Sequence, residues 1–312
     1  MSKHHSSFFS HATIKESNLS KSKIESLEKQ FDDYKIETVM IYQSSALAYT
    51  YERTENLILE PHQMNSVTKS VLSTLIGIAI DKEQIDSLDH SIATYFPYYK
   101  GNITIRQLLT MTSGVDPTIW KQAIESPDSV EKILTSALPK DPRNQMVYNN
   151  ADSHLLSAIL EKATEMNPLT FAEKYLFRPL KMNNYSWDKD SFELPIGGYG
   201  LFLTAEDLMK YAVMMLQNGQ WEGEQVVSES WTREASKQHV STEKWKQSYG
   251  YHWWVSESVN HQPEFYYAAG RGGKFIFICP EQQLAVTVTA NLSTKDSLLP
   301  YQWFVKYIIN KD

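Results

Sequence analysis

The hydrophobic pattern changes period along the chain. Between Ser20 and Tyr34, Ile24, Leu27 and Phe31 recur at helical spacing and predict a first amphipathic helix. IETVMIY at 36–42 and ALAYTYE at 46–52 follow, separated by Gln43, Ser44 and Ser45, and read as a β-hairpin. NSVTKSVLSTLIGIAI, Asn65 to Ile80, is different. Val71, Leu72, Leu75, Ile76, Ile78, Ala79 and Ile80 surround most of a helical wheel, so this segment is expected as a helix buried on nearly all sides.

The chain then turns helical. Thr104 and Gln107 form a capping-box signature before IRQLLTMT, which Gly114 stops. A short helix is expected over 127–137, and another from Asn150, with Leu155, Leu156, Ile159 and Leu160 as its stripe and Asn167–Pro168 as its end. Thr170 with Glu173, and Thr204 with Asp207, repeat the capping pattern. Strand signals return in YGYHWWV (249–255), EFYYAA (264–269), KFIFIC (274–279) and LAVTVTA (284–290), with Pro280 to Gln283 as a hairpin turn. A final helix is expected from Asp296 to Asn310. Strands at both ends of the chain imply an α+β protein, with one antiparallel sheet flanked by the terminal helices. The expected organisation is a flexible tail over 1–19, a discontinuous α/β lobe from 20–80 and 200–312, and a mainly helical lobe from 81–199. A ligand cleft between the lobes lies close to Ser66.

Composition narrows the function classes. The 312 residues carry a formal charge of −7, which argues against a general binder of nucleic acid or anionic membrane. The apolar run at 71–80 is too short to cross a bilayer, and the amino end lacks the apolar core and small-residue cleavage site of a secretory signal, so a cytoplasmic protein is expected. The single cysteine, Cys279, permits no intrachain disulfide and reads as a small buried hydrophobe. Scattered histidines and the absence of HExxH give no support to metal chemistry, and no cofactor is expected.

Ser66 and Lys69 are three residues apart at the polar end of the apolar helix, so they share one face. A neutral lysine can take the proton of a serine hydroxyl, provided burial or a neighbouring cation lowers its pKa by several units. Spacing alone is weak evidence, since S-x-x-K also begins at Ser20, Ser26, Ser129, Ser186 and Ser241, and a capping serine with a solvated lysine is the commoner reading of it. Only the motif at Ser66 opens a long apolar helix. Tyr148–Asn149–Asn150 stands just before another helix, where a phenol can relay a proton and the Asn150 amide can bond a substrate carbonyl. AAGRGGKF (268–275) is a glycine-rich strand entry, where a strand-edge N–H can form half of an oxyanion hole with that of Ser66.

In this order, S-x-x-K, Y-x-N and then a basic residue followed by Gly272–Gly273, the chain resembles the serine β-lactamase and penicillin-binding protein superfamily, and most closely its class C-like branch of β-lactamases, DD-peptidases, D-amino acid amidases and carboxylesterases. TIRQLLTMTSGV, YNNADSHLLSAILEKAT through YLFRPLKMNNYSW, GGYGLFLTAEDLMKYA and YGYHWW carry the likeness across residues 63–290. The resemblance implies Ser66 as acylated nucleophile, Lys69 as proton acceptor and Tyr148 as its partner. It further implies Asn150 as a substrate-orienting group and the backbone N–H groups of Ser66 and Lys274 as oxyanion donors. The third motif departs from the usual Lys or His, with Arg271 in its place. Arginine cannot shuttle a proton, but its fork suits a substrate carboxylate. The expected protein is a metal-independent serine hydrolase of a small ester, amide or β-lactam. The alternatives are a penicillin- or ligand-binding module that is acylated with little turnover, and a true class C-like β-lactamase.

Overall fold

The strand-forming runs at the two ends of the chain meet in one sheet. The computed structural model describes residues 9–17, 19–136, 145–242, 247–256 and 263–309. Its amino-terminal part contains helix α1 (Lys21–Asp33), the hairpin β1 (Ile36–Gln43) and β2 (Ala46–Glu52), the short strand β3 (Pro61–Gln63) and helix α2 (Val67–Asp81). Helices α3 (Ile105–Leu109), α4 (Ile119–Ile124), α5 (Ser129–Ser136), α6 (Asn150–Thr164) and α7 (Pro168–Ala172) follow. Then come β4 (Ser186–Trp187), β5 (Leu201–Thr204), α8 (Ala205–Leu216), the small hairpin β6 (Gln220–Trp221) and β7 (Glu224–Gln225), and α9 (Glu229–Ser236). The chain closes with β8 (Val240–Thr242), β9 (Gln247–Tyr249), β10 (Trp254–Ser256), β11 (Phe265–Gly270), β12 (Lys274–Cys279), β13 (Leu284–Ala290) and α10 (Leu299–Trp303).

Eight strands form the antiparallel sheet in the order β2-β1-β13-β12-β11-β10-β9-β8, so the first hairpin is joined to the carboxy-terminal strands by β1 against β13. Alternation along β12 explains its burial on both faces. Phe275, Phe277 and Cys279 point into a core shared with α1 and α10, while Ile276 and Ile278 point into the larger core around α2 and α8. Every residue of α2 from Val67 to Ala79 is buried, as its all-round apolar wheel requires. On its other side α2 packs against α6, and α6 against α3, α5 and α7. Among the described residues no helix is long and apolar enough to cross a membrane.

The sequence reading needs four corrections. Residues 9–17, expected within a tail, lie along β2: Leu47 and Ser10 share a backbone hydrogen bond, and Phe9 is buried edge-on against Tyr42 and Trp221. One apolar anchor overrides the polar composition around it. YGYHWWV is not one strand, because Gly250 to Trp253 turn between β9 and β10 with His252 at φ 60°. Thr170 does not cap a helix. Asn167 caps α7 three residues earlier, with Pro168 at the first helical position, where its missing N–H costs nothing. The final helix starts at Leu299 and passes into a π-type turn over Phe304–Ile309.

Candidate active site

Ser66 is the residue at which α2 begins. Its backbone is already helical and its side chain makes no capping bond, so the hydroxyl is not consumed by the helix end. Lys69, one turn on, is 1% exposed. These two facts remove the capping-serine and solvated-lysine alternative. The Lys69 Nζ lies 2.7 Å from Asn150 Oδ1, 2.7 Å from the Gly198 carbonyl and 3.4 Å from Ser66 Oγ. A neutral amine has two N–H groups and one lone pair. Two carbonyl oxygens take the N–H groups, and the lone pair is left for the serine proton. Burial brings the Lys69 pKa down to about 7, against an opposing pull from the Asp152 carboxylate.

Tyr148 completes the group. Its ring lies under the lysine, with Nζ 5.0 Å from the ring centroid, and its phenol is near enough to Ser66 to be influenced by that side chain. Although 36% of Tyr148 is open to solvent, desolvation of the phenol outweighs the lowering influence of Ser66 and pushes its pKa up to about 12. Near neutral pH the lysine is therefore the better proton acceptor and the tyrosine a proton donor. Trp254 holds the tyrosine ring by stacking at 6.0 Å.

A second layer fixes these groups. Gly198 must be glycine for its carbonyl to reach Lys69, because a Cβ there would lie 2.7 Å from Asn150 Oδ1. The segment leading to it is pinned by Trp187 Nε1 donating to the Ile196 carbonyl, 2.9 Å, and Ser157 Oγ to the Pro195 carbonyl, 2.7 Å. At its root Ser129 Oγ, His154 Nε2 and Asp190 Oδ2 form a buried cluster, with Ser129 2.7 Å from His154 and His154 3.2 Å from Asp190. Burial disfavours the Asp190 carboxylate, but hydrogen bonds from His154 and Ser129 outweigh it and hold its pKa down to about 2. Behind Lys69, Asp152 accepts from Ser113 Oγ at 2.6 Å while its other oxygen is buried without a hydrogen-bond partner. Desolvation raises the Asp152 pKa to about 7. His252, also buried, is pushed down to about 3 by desolvation and by the nearby Lys69.

The glycine-rich motif is split. Gly270 abuts the residues before Ser66 so closely that a Cβ would lie 2.4 Å from the Met64 carbonyl, and Asn65 Nδ2 donates to the Arg271 carbonyl at 2.7 Å. β10 pairs with Phe265 to Tyr267 only, so the strand edge facing Ser66 belongs to Ala268–Gly270. Lys274, expected as an oxyanion donor, instead pairs with Gly270 across the hairpin and lines neither cavity at Ser66. Gly272 and Gly273 form the turn between them, both at φ 84°. The unpaired edge beside Ser66 thus precedes the turn, whereas the extended run KFIFIC follows it.

Two cavities meet at Ser66, Tyr148 and Arg271. One, of about 450 Å³, is polar and includes Asn65, Asn149, Asn150, Trp120 and Tyr199. The other, of about 390 Å³, is mostly apolar and extends past Trp254 and Tyr267 to Tyr301. Among the described residues no carboxylate is ion-paired with Arg271, and no group of three or more His, Cys, Asp or Glu is arranged to hold a metal. Trp120, Tyr199 and Trp254 line the cavities, whereas Trp187 and Trp253 are core. Sequence reasoning missed Asp152, two residues beyond Asn150 in the first turn of α6, and the Gly198 carbonyl, whose only trace is the Gly197–Gly198 pair.

A family model described as Beta-lactamase matches residues 59–306. The chain belongs to the beta-lactamase family. A 6-aminohexanoate-dimer hydrolase from Paenarthrobacter ureafaciens is 24% identical over 264 residues, 74% of this chain and 67% of that protein. Among solved structures, a putative 6-aminohexanoate-dimer hydrolase from Bacillus anthracis superposes with a TM-score of 0.79 at 20% identity, covering 96% of this chain and 86% of that one. A class C beta-lactamase from Rhodobacter sphaeroides gives 0.73 at 16% identity, covering 93% and 100%. The fold is thus that of the serine β-lactamase and penicillin-binding protein superfamily, and the chain is a hydrolase of this family.

Proposed function

We propose that the protein is a serine hydrolase that cleaves a small ester or amide through an acyl-serine intermediate. Ser66 Oγ attacks the substrate carbonyl as its proton passes to neutral Lys69. The oxyanion is held by the N–H of Ser66, at the start of α2, and that of Arg271, which follows the open edge at Gly270. The proton then moves from Lys69 through Tyr148 to the departing alcohol or amine, and water, deprotonated by the same pair, releases the acid. Asn150 uses its Oδ1 on Lys69, which leaves its N–H₂ for a substrate carbonyl. Arg271 is the anchor for a substrate carboxylate. No step in this scheme calls on a metal ion.

The observation that carries the reading is the coordination of Lys69: a buried amine given two acceptors and one hydroxyl, at the junction of two open cavities. The relative named as a 6-aminohexanoate-dimer hydrolase supports transfer of an acyl group to water on a small substrate. The test is hydrolysis of nitrophenyl esters and small amides by the protein and by Ser66→Ala. Turnover that Ser66→Ala abolishes and that survives dialysis against EDTA is expected. A stable Ser66 adduct without turnover favours an acylated binding module instead, and turnover that persists in Ser66→Ala overturns the proposal.

A further inference from the structure

The apolar cavity has walls of a particular kind. Trp254 stacks on Tyr148 at 6.0 Å and on Tyr267 at 6.3 Å, and Tyr267 lies 5.2 Å from Tyr301 and 6.3 Å from Phe275, centroid to centroid. A continuous aromatic wall therefore runs from the catalytic tyrosine to α10. The polar tips of that wall are already occupied. The Tyr267 hydroxyl donates to Gln247 Oε1, and Gln247 Nε2 donates to the Tyr301 hydroxyl at 2.9 Å. Gln247 thus bonds both phenols. What the cavity offers a ligand is mainly ring surface, with Ala269 and Leu298 beside it and Arg271 and Ser297 also in its lining. Leu298 is 52% exposed at the rim. The polar cavity on the other side of Ser66 is lined by Gln63, Asn65, Asn149 and Asn150, with the Asn149 amide committed to Val147 and Asp152.

We infer that the substrate is bipartite: an apolar alkyl or aryl group on one side of the scissile bond seats in the cavity between Trp254, Tyr267, Phe275 and Tyr301, and a hydrogen-bonding group on the other side occupies the amide-lined cavity. This inference rests on the serine-hydrolase reading and adds the substrate class. Water against so much ring surface is poorly hydrogen-bonded, so displacing it favours an apolar ligand group. Each methylene fully buried is worth roughly fourfold in kcat/KM when it is held through the transition state, the equivalent of ~0.8 kcal/mol. Aryl groups gain further from edge or offset contacts with the wall.

The test uses two ester series on the full chain. In one the acyl group grows from acetyl to hexanoyl or phenylacetyl with a constant nitrophenol leaving group. In the other the alcohol grows from methanol to hexanol or benzyl alcohol with a constant acetyl group. Intact mass after brief exposure reports whether Ser66 is acylated at all. The expected result is a gain in kcat/KM of roughly tenfold or more along one series. Which series responds identifies the cavity as an acyl or a leaving-group site. Leu298→Asp, at an exposed position, and Ala269→Leu, which fills the cavity from its floor, should each reduce that gain severalfold, with folding checked by Tm. Acylation with no preference for larger apolar groups, or a preference that both variants leave intact, overturns the inference while sparing the hydrolase reading. Absence of any Ser66 adduct or turnover with every ester removes the hydrolase reading itself.

Discussion

Two of the serines with titratable partners among the described residues, Ser129 and Ser66, sit in contrasting surroundings. Ser129, His154 and Asp190 have the residue types of a hydrolytic triad. Yet Ser129 and Asp190 both contact the same imidazole nitrogen, Nε2, while His154 Nδ1 faces the Gly197 amide at 3.5 Å. The aspartate therefore cannot orient the imidazole from the far side as it takes a serine proton, and the serine itself is only 1% exposed. The cluster works as a brace for the segment that ends at Gly198. Ser66, Lys69 and Tyr148 look less familiar, but the hydroxyl opens on two cavities and the amine beside it has a pKa near 7. Access and an adjustable proton make the site; residue identity does not.

The largest expected difference is between the serines. Ser66→Ala should lower kcat/KM by on the order of 10³-fold or more with little change in Tm. Ser129→Ala should leave kcat/KM within a few-fold but cost about 1–3 kcal/mol of stability in denaturant unfolding, because a buried partner of Asp190 is lost. Equal kinetic losses in the two variants would erase the distinction. Next, Lys69→Ala should lower kcat by roughly 10²–10⁴-fold on esters, the range of general-base catalysis.

Smaller effects sharpen the electrostatics. Activity needs neutral Lys69, so kcat/KM should rise with pH through an acid limb near pH 7. The Asp152 carboxylate favours charged Lys69, so Asp152→Asn should move that limb to lower pH; a shift upward, or none, would mean that Asp152 does not act on the lysine. Arg271→Ala should raise KM about tenfold for carboxylate-bearing esters and much less for neutral ones, since only the former lose a charge-assisted pair.

Much of this was legible in the sequence, for reasons that differ by element. The wheel of α2 announced its burial, and the runs at 274–279 and 284–290 matched β12 and β13 in full, because fully buried strands and helices leave few polar alternatives. Turns were less legible. The aromatics of YGYHWWV suit a strand, and only the backbone at Gly250 and His252 reveals the break. In the site, Ser66 and Lys69 could be paired from one helical turn, since both lie on one element. Asn150, Gly198 and Asp152 meet that lysine only through tertiary packing of α6 and the loop before β5 onto α2. No local period encodes that meeting. For a related reason the run at 274–279 does not locate the unpaired edge beside Ser66, since that edge depends on where the neighbouring strand stops pairing.

Peptide mapping of the trapped acyl-enzyme is the most direct measurement. A slowly released ester or β-lactam, quenched in acid within seconds and digested, should place one acyl group on the peptide bearing Ser66 and none on the peptide bearing Ser129. An adduct on any other residue, or full turnover with Ser66 never modified, would contradict the account.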